Sequence, residues 1–296
     1  MKKGLRTTTI AIIVLMGSFA IFTACNKTTE TFNDFNTKSL DLALDQSFAS
    51  ELFDEVIEIS DEALNIGNSN ELKSAEMNGN RFMRMGSCAT ITNVITAQST
   101  VTTVDFGTEG CTGLDGRLRQ GKLIMTREGN YWEGDVQMTY QFENYFVNGN
   151  QLTGTKTTHG FINEAGNRQM EMVDNGSIIL ADNGGTITRT AQRTREVIEG
   201  SNTRNKEDDV IKVTGSSAGI CATGETFTSQ ITSPLIRKNS QECNHFYVQG
   251  IVNIVKGDGT EITINYGDGT CDNLAEITTN GVTEIVELQG HRRRTV

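Results

Sequence analysis

The side chains able to do chemistry in this chain are six cysteines, three histidines, a serine framed by glycines, a group of turn aspartates and two runs of arginine. Gly215-Ser-Ser217-Ala-Gly219 matches the Gly-x-Ser-x-Gly nucleophile elbow, a motif that needs a strand before the serine and a helix after it. Ile220 onward (ICATGETFTSQI) reads instead as turn and strand. Ser217 is therefore a small residue of a connecting segment, and no catalytic residue is nominated. His159, His245 and His291 have no partner at catalytic or metal-ligand spacing, and neither Cys-x-x-Cys nor a Cys/His zinc pattern occurs. Asp258, Glu261, Asp268 and Asp272 flank two glycine turns, but the Asp-x-Asp-x-Asp-Gly calcium loop is absent and turn formation accounts for them. No metal and no cofactor is expected.

The arginines carry a sharper pattern. In Thr186-Ile-Thr-Arg189-Thr-Ala-Gln-Arg193-Thr-Arg195, all three arginines share strand parity and project from one face within ~20 Å. Arg117 and Arg119 share parity on a strand of their own. These five are candidate anion-binding residues, because a planar guanidinium takes a carboxylate or phosphate through two parallel hydrogen bonds. The competing expectation pairs each with a neighbouring acid such as Glu171 or Glu196, in cross-strand pairs worth a few tenths of a kcal/mol. Tyr131, Trp132, Tyr140, Phe142, Tyr145 and Phe146 could build a sugar-stacking platform, but parity places Trp132, Tyr140 and Phe142 on the apolar side, which favours core packing.

Residues 1–24 read as a signal peptide. Lys2, Lys3 and Arg6 form a positive start, and Ile10 to Phe22 form an apolar core too short for a transmembrane helix. The segment ends in Phe22-Thr23-Ala24-Cys25, which resembles a bacterial lipobox, with Phe22 where leucine is usual. The resemblance implies lipid attachment at Cys25, firm anchoring by several acyl chains, and, with Asn26 rather than aspartate next, an outer-membrane location in the cell envelope. The formal net charge of −11 becomes −14 once the three positive charges of residues 1–24 are removed. That balance argues against a nucleic-acid partner; the expected partners are the membrane, through the lipid, and an unidentified protein or small-molecule ligand. Five cysteines remain. An oxidising compartment makes disulfides the default, and pairs across glycine-rich turns join Cys88 to Cys111 and Cys243 to Cys271, leaving Cys221 free.

These groups are positioned by one helix and many strands. Residues 25–38 are polar and lack a period, so they read as a tether. Within residues 39–66, Phe48, Leu52, Val56, Ile59 and Ala63 fall on one helical stripe. Glu51, Asp54, Glu55, Glu58, Asp61 and Glu62 lie on the opposite face, which is expected to be solvated. Over residues 85–290 the period drops to two: Val136, Met138, Tyr140 and Phe142 alternate with polar residues, as do Ile262, Ile264 and Tyr266. Seven Asn-Gly or Asp-Gly turns punctuate these runs. The chain is thus mostly β, an antiparallel meander of roughly ten to thirteen strands forming a curved or twisted sheet or an open barrel, with a β-sandwich as the alternative. Residues 291–296 form a basic tail.

Three stretches, Gly116-Arg117-Leu-Arg119-Gln-Gly121-Lys122-Leu-Ile-Met-Thr126, Tyr145-Phe-Val-Asn148-Gly149 with Gly154-Thr155, and Tyr266-Gly-Asp-Gly-Thr-Cys271-Asp272-Asn273, resemble uncharacterised all-β lipoproteins of Bacteroidota. The resemblance implies an exported β body and no particular activity. The expected function is a non-catalytic binding or structural module, with a carrier of an apolar ligand on the concave side of the sheet as the alternative.

Overall fold

The computed structural model describes residues 27–67, 84–130, 134–203, 205–240, 243 and 246–288. The signal peptide, Cys25, Tyr131, Trp132, His245, His291 and the basic tail lie outside them. Among these residues one α-helix, α1 (Lys27–Gly67), is followed by fourteen strands, with a 3-10 turn at Ala181–Asn183. They are β1 (Thr90–Ile95), β2 (Ser99–Asp105), β3 (Cys111–Thr112), β4 (Leu118–Asn130), β5 (Asp135–Val147), β6 (Asn150–Ile162) and β7 (Arg168–Ile179). The second half holds β8 (Thr186–Glu199), β9 (Val210–Ile220), β10 (Thr226–Lys238), β11 (Tyr247–Lys256), β12 (Glu261–Asp268), β13 (Leu274–Thr279) and β14 (Val282–Glu287). All belong to one antiparallel sheet in which each strand pairs with the next, except that β2 pairs with β4 and the two-residue β3 adds to β4. The sheet is an open meander. It is neither closed nor split into two layers, and the sandwich alternative does not hold.

Two differences from the sequence reading concern α1. It begins at Lys27, inside the stretch expected to be an aperiodic tether. Its acidic face is also not solvated. Leu42, Leu52, Phe53, Val56, Ile57 and Ile59 are buried, and so are Ser39, Asp45, Gln46, Glu55 and Ser60. The partners explain why. Glu51 and Glu55 reach Arg117 beside β4, Ser47 reaches Tyr266 on β12, and Glu58 reaches Arg237 on β10. Strands from opposite ends of the meander therefore meet the same helix, which can happen only if the sheet curls around it. Strands β4 to β8 are 12 to 14 residues long, about 40–48 Å at ~3.4 Å per residue. They are tall enough to cover the roughly 37 Å that residues 39–63 span at 1.5 Å each.

The core lies between α1 and the inward parity of the strands. Phe53 marks how close the approach is. Gly154 and Gly176 face each other across β6 and β7, and a Cβ on Gly176 would stand 2.9 Å from the Phe53 ring and 2.2 Å from the Thr153 carbonyl oxygen. Glycine here makes the hollow into which the phenyl ring drops. Phe142 meets the same ring edge-on, with centroids 6.1 Å apart, and Tyr140 and Tyr145 are buried. Tyr140, Phe142 and Tyr145 pack in or against the core rather than form an exposed platform, and Phe146, on the other parity, is half-buried.

Candidate functional site: a buried ion-pair network between helix and sheet

Lys156 on β6 and Asp174 on β7 are direct register partners, and both point inward. Lys156 Nζ donates to Asp174 Oδ1 at 2.6 Å, and Arg193 Nη2 donates to Asp174 Oδ2 at 3.0 Å. Arg189 Nε lies 3.6 Å from the same carboxylate. From the helix, Asp54 accepts both Arg193 donors, Nη2 at 2.6 Å and Nη1 at 2.9 Å. This is the two-pronged geometry that makes guanidinium–carboxylate bonds strong. The Tyr247 hydroxyl donates to Asp54 Oδ2 at 3.3 Å. Burial alone would raise the pKa of Asp54, but the charges of Arg193 and Lys156 outweigh it and hold the carboxyl below its usual range. Asp174 is depressed for the same reason: Lys156, Arg193 and Arg189 overcome the cost of burial. Burial pulls Arg189 down to about 10.

A second knot sits at the start of β4. Arg117 pairs with Glu51 and Glu55 of the helix. Arg119 donates from Nε to Glu55 at 2.6 Å, from Nη2 to Asp115 at 2.6 Å and from Nη1 to the Arg84 carbonyl at 2.6 Å. A third joins Arg84 to Glu58 and Glu62, and Arg237 of β10 to Glu58 at 2.5 Å. Between the knots, Gln46 donates to Ser217 and Ser229, each at 3.2 Å, and accepts from Arg189 Nη1 at 2.7 Å. Ser217 is thus an inward residue of β9 with no helix after it, and the nucleophile-elbow geometry is missing.

Each arginine singled out in the sequence lies in the sheet's interior. Four of them, Arg117, Arg119, Arg189 and Arg193, are essentially buried. Arg195 lies within electrostatic reach of Glu58 and Asp61, and burial and the nearby Arg237 lower its pKa. The acids they meet are neither Glu171 nor Glu196. Glu196 instead takes Lys212 and the amides of Asn163 and Asn167, and those hydrogen bonds, Asn167 first, bring it down to about 2. The carboxylates facing the arginines come mainly from α1. Sequence reasoning did not mark Lys156, Asp174, Arg84, Arg237 or Tyr247. The available signal was parity: Lys156 keeps step with Leu152, and Asp174 with Met172 and Ile178.

The remaining candidates take ordinary roles. His159 Nε2 lies 2.8 Å from Asp135 Oδ1 at the half-exposed edge of the strand pair. Asp258 and Asp268 accept from the backbone N–H groups of Thr260 and Thr270 and close their own turns. Among the described residues, no group of three His, Cys, Asp or Glu side chains is arranged to hold a metal ion. Cys88 is bonded to Cys111 and Cys243 to Cys271, with Cα atoms 5.5 and 4.8 Å apart. Cys221 is a buried free thiol 3.0 Å from the Thr223 hydroxyl.

Chemically, the network joins surfaces. Its carboxylates are met by guanidinium or ammonium groups of the sheet, so the arginine cluster finds its anions within the chain. Buried pairs of this kind add little net stability over an apolar interface, but breaking one is costly. They fix which residue of α1 faces which strand. No protein-family model matches the chain, and neither does any curated protein or solved structure.

Proposed function

We propose that the chain is a lipid-anchored, non-catalytic module of the cell envelope, in which α1 braces a curled sheet whose outer surface does the binding. The observation that carries this reading is the occupied concave side. The helix fills it with Phe53, Val56 and Ile57 and closes it with the pairs to Arg117, Arg119, Arg193 and Arg237. A carrier of an apolar ligand would have to expel α1 and leave these charges unpaired in a low dielectric. The two disulfides suit an oxidising compartment, and the positive start, apolar core and Thr-Ala-Cys25 order of the leader support export and acylation. Native mass spectrometry of the protein released from its own membranes tests the reading. The expected species begins at an acylated Cys25 and holds no stoichiometric apolar molecule. A retained lipid or other apolar ligand would establish the carrier reading instead.

A further inference from the structure

Side chains alternate across a strand, so the neighbours of the inward Asp174, Ser217 and Ser229 face outward, away from α1. Following the ladder from strand to strand, one outward row runs unbroken from Val94 on β1, through Gln192, Ser216, Gln230 and Asn253, to Thr283 on β14. It takes one residue from each of thirteen strands, and none is charged. The chain is 21% charged, which alone would place about three charges in a row of thirteen. In a chain of net charge −11 the gap is selective.

A groove of about 580 Å³ lies over the middle of this row, on β7 to β11. That volume falls within the ~300–1,000 Å³ of small-ligand sites. Four amides, Asn175, Gln192, Gln230 and Asn253, line it together with the hydroxyls of Thr190 and Thr228. Asn253 Oδ1 is buried and has no hydrogen-bond partner. Asp174 also borders the groove, but its carboxylate is taken from the inner side by Lys156 and Arg193.

The lining selects the ligand. An anion would find no exposed cation, and a metal ion no free carboxylate. An apolar molecule would strand the amides of Asn175, Gln192 and Asn253, at a cost in desolvation for each, whereas Gln230 already donates to the Gly215 and Ile231 carbonyls. Amides and hydroxyls both donate and accept, as the hydroxyls of a sugar do, while Val173 and Val255 offer apolar patches for ring C–H groups. Adjacent strands are ~4.7–4.9 Å apart, close to the length of one pyranose unit in an extended glycan. A chain laid across the strands would meet about one polar side chain per sugar.

We propose that the outer groove over β7 to β11 binds an extended neutral glycan running across the strands. The proposal deepens the binding-module reading by naming its ligand class. The test is titration of the purified protein with neutral cello-, manno- and malto-oligosaccharides from dimer to hexamer, alongside sialylated and phosphorylated glycans. At least one neutral series should bind, tightening with length until the five strands are covered, while the charged glycans do not. Asn175→Ala with Gln192→Ala removes two exposed amides, and Asn253→Leu removes a third amide from the lining. Each variant should weaken binding about tenfold or more and leave the thermal melt in place. Polysaccharide extracted from the source cells, titrated in parallel, tells whether the ligand is the cell's own polymer or one met outside. Absence of binding by every neutral glycan, or binding indifferent to both variants, would overturn the proposal. Either result leaves the native mass spectrum of the interior unchanged, so failure here is separable from failure of the module reading.

Discussion

Asp174 has Lys156, Arg189 and Arg193 around it and is 1% exposed. Asp174→Asn keeps the shape and deletes the charge, which leaves three buried cations with Asp54 as their nearest carboxylate. Removing one partner of a buried pair costs about 3–5 kcal/mol, because the other charge stays behind unpaired. Urea unfolding should show a loss of that size. Glu143→Gln, which breaks the exposed Lys122–Glu143 pair, should leave the urea midpoint almost where it was, because solvent screens an exposed pair. Equal small effects would mean that the network does not hold the helix. At this scale the sequence was half readable. Arg189, Arg193 and Arg195 announced a common face by spacing alone. Lys156 and Asp174 stand singly in Thr155-Lys156-Thr157 and Val173-Asp174-Asn175, where an inward charge looks like an outward one unless parity is followed out to Leu152 and Ile178.

The helix shows why a readable element can have an unreadable environment. The spacing of Phe48, Leu52, Val56, Ile59 and Ala63 is local and calls for a helix. Whether Glu51, Asp54 and Glu55 face water or arginine depends on residues more than sixty positions away, and an acidic face looks the same in both cases. Its burial has a consequence for acid stability. The folded-state pKa values of Asp54 and Asp174 lie below the ordinary carboxylate value. A depressed acid contributes stability that is fully present above its unfolded pKa of about 4 and is lost as pH falls through the folded value. Glu62 and Asp209, raised by burial, work in the opposite direction, but Asp54, Asp174 and Glu196 outnumber them. The free energy of unfolding should therefore be nearly level from neutral pH to about pH 5 and drop steeply below about pH 4. Near-UV dichroism should fade and ANS binding rise as α1 loosens within the sheet. An unfolding free energy that stays level down to about pH 2.5 would show that the paired carboxylates do not latch the helix.

At the scale of the molecule, strand order was legible because a meander writes its topology locally. Asn148-Gly149 joins β5 to β6, Asp258-Gly259 joins β11 to β12, and Asn280-Gly281 joins β13 to β14, with positive φ at Asn148, Gly149, Gly259, Asn280 and Gly281 as such turns require. Curl and closure were not legible, because they depend on what the sheet wraps. An open sheet also needs its ends controlled. The last strand carries Glu284 and Glu287, charges that discourage edge-to-edge pairing, whereas β1 carries none. Each end has a staple nearby. Cys88, just before β1, is tied to Cys111 on β3, and Cys243, between β10 and β11, is tied to Cys271, between β12 and β13. The bridges close intervals of 23 and 28 residues, for which the chain-entropy estimate gives about 3–4 kcal/mol each. Replacing either pair by serine should lower stability by that amount. Because both ends of the sheet pack on the same helix, each loss should appear as a shift of one cooperative transition rather than as a separate early step. The two losses should add in the quadruple variant, since the bridges share no partner. Peptide mapping without reductant should recover Cys221 as a free thiol, and a bridge containing Cys221 would overturn the pair whose cysteine it takes.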